Sequence, residues 1–194
     1  MKHPMEYAQL IEQTLAGSVE AYGELYEATI RDVYRTVRFL VSEPVNAEDI
    51  VQEVYVELYR SLGRYDHSRE FRPWLTGLVM RQIQAYRRRG WRHFRLLRRA
   101  EQTAERMEHD FAGEVVDRIS NRALLMAVNH LPFKLKQVVI LHYLQEYSQE
   151  EIAAILEIPL GTVKSRIHAA LQKLRRKHQA DTIQYRRVED VHES

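Results

Sequence analysis

Apolar residues recur every three or four positions along most of the chain, and the places where that rhythm breaks divide it into helices. After a short leading helix, Ser18 opens a pattern that runs through Val41, with Tyr22, Tyr26, Ile30, Val33, Val37 and Leu40 stepping along one face. Pro44 interrupts it. Asn46 is placed to cap the next helix, and Val45 and Ile50 are spaced as a hydrophobic staple. Within AEDIVQEVYVELYRSL the residues Ile50, Val51, Val54, Tyr55, Leu58 and Leu62 fall on the inward side, leaving Asp49, Gln52, Glu53 and Glu57 together outside. A polar loop, GRYDHSRE from Gly63 to Glu70, leads to a third helix predicted from about Arg72 to Arg89. Its packed side carries Trp74, Leu75, Leu78, Val79, Ile83 and Tyr86, and the aliphatic neighbours of Trp74 make it a core residue rather than a stacking platform.

From Trp91 to about Ile119 the periodicity weakens and the charge turns from basic to acidic, which marks a linker. A helix then spans Asn121 to Asn129, Leu131 and Pro132 break it, and another runs from Lys134 to Gln145 with Leu135, Val138, Leu141 and Leu144 inward. The sharpest pattern is Ser148 to Lys177. Ser148 with Glu151 three residues later is the signature of a capping box, and Ile152, Ala153, Ile155 and Leu156 form the apolar side of a short helix that Pro159 ends. A second helix begins around Leu160 to Thr162, with Val163, Ile167, Ala170, Leu171 and Leu174 on its packed face. The fold class predicted is all-α: an N-terminal domain over 1–90, a linker over 91–119, a C-terminal four-helix unit with a helix-turn-helix over 120–178, and a tail over 179–194. That tail has no apolar phase of useful length and is expected to be disordered.

Charge adds what the rhythm cannot. The net value is only +2 over 194 residues, but no acidic residue lies between Leu160 and Lys177, or between Phe71 and Ala100 where nine arginines fall. Acidic residues gather instead in Glu43 to Glu57 and in Glu101 to Asp117, so separate surfaces for separate partners are expected. The outer face of the last helix presents Ser165, His168, Ala169 and Gln172, flanked by Lys164 and Arg166. Short polar side chains read base edges, while Lys and Arg take phosphates, so a helix of this kind suits a DNA major groove. Arg81, Gln82, Arg87 and Arg88 in the third helix suit either a nucleic-acid backbone or a solubilising surface, and Tyr65 and His67 are placed to stack or pair with unstacked bases. The acidic face with Asp49, Gln52 and Glu53 suits solvent or a basic protein partner.

Composition narrows the class further. Cysteine is absent, so disulfides, thiolate metal sites and a cysteine nucleophile are excluded. No Gly-rich phosphate loop, GxSxG elbow or HExxH pair occurs, so an enzyme is not expected, and no cofactor or metal either. No segment has the apolar core of a signal peptide or a membrane span, which predicts a cytoplasmic protein without membrane contact of its own.

Taken in order, AEDIVQEV, FRPWL, the arginine run, LPFKLKQVVILHYL and YSQEEIAAILEIPLGTVKSRIHAALQKLR resemble a bacterial RNA polymerase sigma factor of the small extracytoplasmic-function type, over roughly Ala16 to Lys177. The resemblance implies an alternative sigma factor that binds core RNA polymerase and directs promoter-specific initiation. It implies that Asp49, Gln52 and Glu53 dock on the clamp helices of the polymerase largest subunit. The loop with Tyr65, His67 and Ser68 would receive an extruded base of the minus-ten element, with Arg81, Arg87 and Arg88 on the same DNA. Lys164, Ser165, His168 and Ala169 would read the minus-thirty-five element, Thr162 and Arg166 would hold phosphates, and the helices near Leu131 to Leu144 would meet the polymerase flap. An anti-sigma factor is implied as a further partner. Arg81 and Ala85 stand where the family often has Asn and Asp, and Ala169 where it often has Arg, so promoter specificity should differ from that of such relatives. A turn-helix match alone would suit a polymerase-independent helix-turn-helix regulator, which is the alternative reading.

Overall fold

The structure is a computed structural model that describes residues 4–41, 45–98 and 119–192, with side chains over 6–41, 46–89 and 124–177. Its elements are α1 (Pro4–Leu15), α2 (Val19–Leu40), α3 (Val45–Ser61), a 3-10 turn (Leu62–Arg64), α4 (Phe71–Arg98), α5 (Ile119–Asn129), α6 (Phe133–Val139) continuing into a π turn (Ile140–Leu144), α7 (Gln149–Leu156) and α8 (Leu160–His192). No strand occurs among the described residues. The chain divides into two compact units, Met1–His109 and Asp110–Ser194.

In the first unit α2 packs on α1 and α3, and α4 closes against α3 and α2. Gly17 makes the first corner with φ +97, a conformation that side chains with a Cβ rarely adopt. Ser18 then caps α2, its hydroxyl accepting the Ala21 amide at 3.1 Å. Ile11, Leu25, Leu40, Ile50, Leu58, Leu62, Met80 and Ile83 are fully buried, and each stabilises the fold by roughly 1.5–3 kcal/mol of transfer free energy. All six residues expected on the inner side of α3 are buried. The helix begins at Val45, so Asn46 lies within its first turn rather than at the cap.

The stripe of α2 departs from the expected phase. Its buried residues are Ala21, Leu25, Thr29, Val33, Thr36, Val37 and Leu40, while Tyr22 is half-buried and Tyr26 exposed. Tyrosine is amphipathic and settles at the boundary, where its ring packs and its hydroxyl finds an acceptor. Tyr22 donates to the Tyr55 carbonyl at 2.6 Å, and the Tyr26 ring lies 4.5 Å from that of Tyr55. Thr29 is buried because its hydroxyl donates back to the Leu25 carbonyl at 2.7 Å and meets the Tyr55 hydroxyl at 2.9 Å.

Two helices run further than their apolar phases suggest. α4 starts at Phe71 and continues past Arg89 to Arg98, and α8 continues through His192, where disorder was expected. Between Thr162 and Ser194 there is neither Gly nor Pro, and Ala, Gln, Lys and Arg favour a helix even where no apolar face demands one.

The second unit gathers α5, α6 and α7 on α8. Val138, Leu141, Ile152, Val163 and Ala170 are fully buried at its centre, and Leu135 and Leu144 are half-buried at its edge. The π turn lets the chain leave α6 through Gln145 and Tyr147, both buried, before α7 begins.

Candidate nucleic-acid and polymerase interfaces

The α7–α8 hairpin is assembled by local chemistry. The Glu151 amide donates to the Ser148 hydroxyl at 3.1 Å, and the Ser148 amide donates to the Glu151 carboxylate at 2.7 Å, so the expected capping box is present in both halves. At the other end Glu157 takes φ 53, and the Ile158 amide donates to the Ala153 carbonyl at 3.0 Å. Pro159 follows, and its carbonyl accepts the Thr162 amide at 2.8 Å to start α8. Burial of Val163, Ile167 and Ala170 then fixes which way the helix faces. Lys164, Ser165 and His168 are exposed, with Thr162, Arg166 and Ala169 half-buried on the flanks, so all six residues singled out in this helix share its outer side and edges. Gln172, one turn beyond, lies 3.2 Å from His168 Nε2 and orients that ring.

In the first unit, Asp49, Gln52 and Glu53 are exposed on α3. Val56 and Tyr59 extend their line at 48% and 60% exposure, which makes this face partly apolar rather than purely acidic. Glu53 accepts from Arg89 of α4 at 3.1 Å. That contact joins residues far apart in sequence, so no local pattern could have announced it.

The loop before α4 corrects one expectation. Tyr65 is 8% exposed, its hydroxyl donates to the Arg69 carbonyl, and its ring packs 4.8 Å from Trp74 and 5.8 Å from Phe71. Burial is the main cause pushing its hydroxyl pKa up. Tyr65 is therefore the anchor of the loop and offers no open face to a base, whereas His67 and Ser68 are exposed. Along α4, Arg81 and Arg88 are exposed, and Arg87 is half-buried with its pKa drawn down by desolvation. Arg72 pins the start of α4 to Asp32 of α2 at 2.9 Å.

Both units resemble known proteins. The family Sigma-70 region 2 matches residues 25–93, and the family Sigma-70, region 4 matches residues 121–174. The chain is 33% identical over 168 residues to the RNA polymerase sigma-E factor of Streptomyces coelicolor, covering 86% of this chain and 91% of that relative. It is 32% identical over 176 residues to the RNA polymerase sigma-E factor of Streptomyces avermitilis, covering 87% and 94%. The chain belongs to the extracytoplasmic-function sigma factors of RNA polymerase.

As an alternative sigma factor it directs transcription initiation. It spans 64% of a longer relative, the ECF RNA polymerase sigma factor BldN of Streptomyces coelicolor, at 29% identity over 176 residues, 87% of this chain. Its fold is also that of CnrH, solved in complex with the cytosolic domain of CnrY, with a TM-score of 0.65, 23% identity, and 91% and 99% of the two chains covered. The sigma factor RpoE of Bartonella quintana, solved with the anti-sigma factor NepR, gives a TM-score of 0.67 at 19% identity, with 84% and 99% covered. The region 2 match contains α3, the Tyr65 loop and most of α4, and the region 4 match contains α7 and the first half of α8. None of its described helices is long and apolar enough to cross a membrane.

Proposed function

We propose that this sigma factor divides initiation between its two units. In the first, Asp49, Gln52 and Glu53 dock on the basic clamp helices of the polymerase largest subunit, with opposite charge steering the encounter. His67 and Ser68 receive an extruded non-template base of the minus-ten element, Tyr65 supports them from beneath, and Arg81, Arg87 and Arg88 hold the adjoining phosphates. In the second, Lys164, Ser165, His168 and Ala169 read the minus-thirty-five element while Thr162 and Arg166 contact phosphates, and the helices near Leu131 to Leu144 meet the flap. The functional divisions follow as 1–90, a linker over 91–119, and 120–178.

The chain itself performs no covalent step in this scheme. Strand opening draws on binding free energy, since unstacking costs a few kcal/mol per step and captured bases with phosphate contacts offset it. The work is done in the cytoplasm beside the polymerase. Because RpoE was solved with the anti-sigma factor NepR, an anti-sigma factor that masks these surfaces is proposed here as well.

The observation that carries this reading is the partition of charge: exposed carboxylates on α3, and an acid-free outer face at the start of α8. Reversing two of those carboxylates, Asp49→Arg with Glu53→Arg, is expected to abolish binding to purified core polymerase while circular dichroism shows both units folded. Unchanged affinity in that double variant would mean that the docking face lies elsewhere.

A further inference from the structure

A carboxylate in a loop that meets DNA repels phosphates unless it serves another purpose. Asp66 has such a purpose. Its Oδ1 accepts from the Ser68 amide at 3.0 Å and from the Ser68 hydroxyl at 2.7 Å, and its Oδ2 lies 3.5 Å from Arg69 Nε. Its carbonyl accepts the Arg69 amide at 3.0 Å, closing a turn over residues 66–69. From below, the buried Tyr65 ring grips the same turn by donating to the Arg69 carbonyl. Held from both sides, His67 and Ser68 stand exposed at the tip, with the His67 ring 5.2 Å from that of Tyr65.

We propose that Asp66 is a positioning residue for strand capture: it touches no nucleotide, and it holds His67 and Ser68 in the shape that receives the extruded base. A loop folded in advance loses no ordering entropy when the base arrives, so a larger share of encounters is productive. The Ser68 hydrogen bonds hold the Asp66 carboxyl below the ordinary aspartate range. Neither Arg69 nor Tyr65 replaces it, because a guanidinium has no acceptor to offer an amide and the Tyr65 hydroxyl is directed to the Arg69 carbonyl. The inference rests on the assignment of this loop to the minus-ten strand.

The test uses holoenzyme reconstituted from core polymerase and the full chain, on a promoter fragment selected by the unsubstituted holoenzyme. Permanganate reactivity of minus-ten thymines reports the open fraction. Asp66→Asn keeps the Oδ1 acceptor and loses the charge, so opening should stay within about twofold of the unsubstituted protein, whereas Asp66→Ala should lower it roughly tenfold with core affinity unchanged. Asp66→Glu keeps the charge but displaces the acceptor by a methylene, and should resemble Asp66→Ala. Full opening by Asp66→Glu, or equal gains in Asp66→Asn and Asp66→Ala, would show that charge alone matters and would overturn the proposal. Normal opening and base preference in a His67→Ala, Ser68→Ala double variant would sink the loop assignment itself. A defect in that double variant beside normal opening in Asp66→Ala would sink only the positioning role.

Discussion

Ser148 shows how much a single side chain can settle. Its hydroxyl and the Glu151 carboxylate satisfy amides that the start of α7 would otherwise leave without partners, and α7 is the platform on which α8 is aimed. Ser148→Ala should cost about 1 kcal/mol of stability in the second unit, read as a lower thermal midpoint of that unit. This residue was legible in the sequence because cap and partner lie three positions apart. Tyr22 was not. Its place at the boundary depends on the Tyr55 carbonyl, supplied by another helix. Tyr22→Phe should therefore destabilise the first unit by about 1 kcal/mol in chemical denaturation, since it removes the donor to a part-buried carbonyl. Tyr65 was misjudged for the same reason: a tyrosine in a polar loop reads as a free aromatic until Phe71 and Trp74 are known to fold against it. Glu157 gave no warning of its left-handed turn either, because glycine is the usual residue there and Glu carries no such signal.

At the scale of elements, apolar phase predicted α3, α7 and the described start of α8 well, since each has one buried face and few amphipathic side chains on it. α2 went wrong where tyrosines and threonines share the boundary with aliphatic residues. The end of α8 is hard to read because nothing after Thr162 breaks the helix, whereas α4 continues through Gly90, a weak helix former that suggests an end there. Ile152, fully buried in α7, is expected to be the weakest point of the second unit: Ile152→Ala should cost about 2–5 kcal/mol and remove minus-thirty-five binding, while core docking through α3 survives. Binding of the variant to core polymerase and to a promoter duplex, measured separately, checks both halves. The α2–α3 interface carries a pH signature as well. Burial first, then Tyr59 and Tyr26, raise the Tyr22 pKa to about 12, and burial raises that of Tyr55. A folded-state pKa raised above the unfolded value of about 10 contributes stability that is complete below pH ~10 and lost as pH climbs toward the folded value. The thermal midpoint of the first unit should thus fall steeply between about pH 10 and pH 12, and Tyr22→Phe should flatten part of that fall.

The whole molecule sets charge against charge. An acidic and partly apolar line is exposed on α3 in one unit, and an acid-free outer surface begins α8 in the other; in the proposed scheme the first meets protein and the second DNA. The Glu53–Arg89 ion pair bridges α3 and the arginine-rich α4 within the first unit; both side chains are substantially exposed, so it contributes little to stability and yields readily to a partner. Membership in the family was legible from the order of separated motifs, because no single stretch distinguishes a sigma factor from a simple repressor. The long-range contacts that shape its surfaces were not, since they depend on packing between distant segments. The central claim is tested most directly by adding the purified chain to core RNA polymerase and mapping transcription starts on a genomic fragment library. Discrete starts that require the chain, and that vanish with Asp49→Arg and Glu53→Arg, are the predicted result. A chain that ignores core polymerase yet shifts duplex fragments on its own would contradict it.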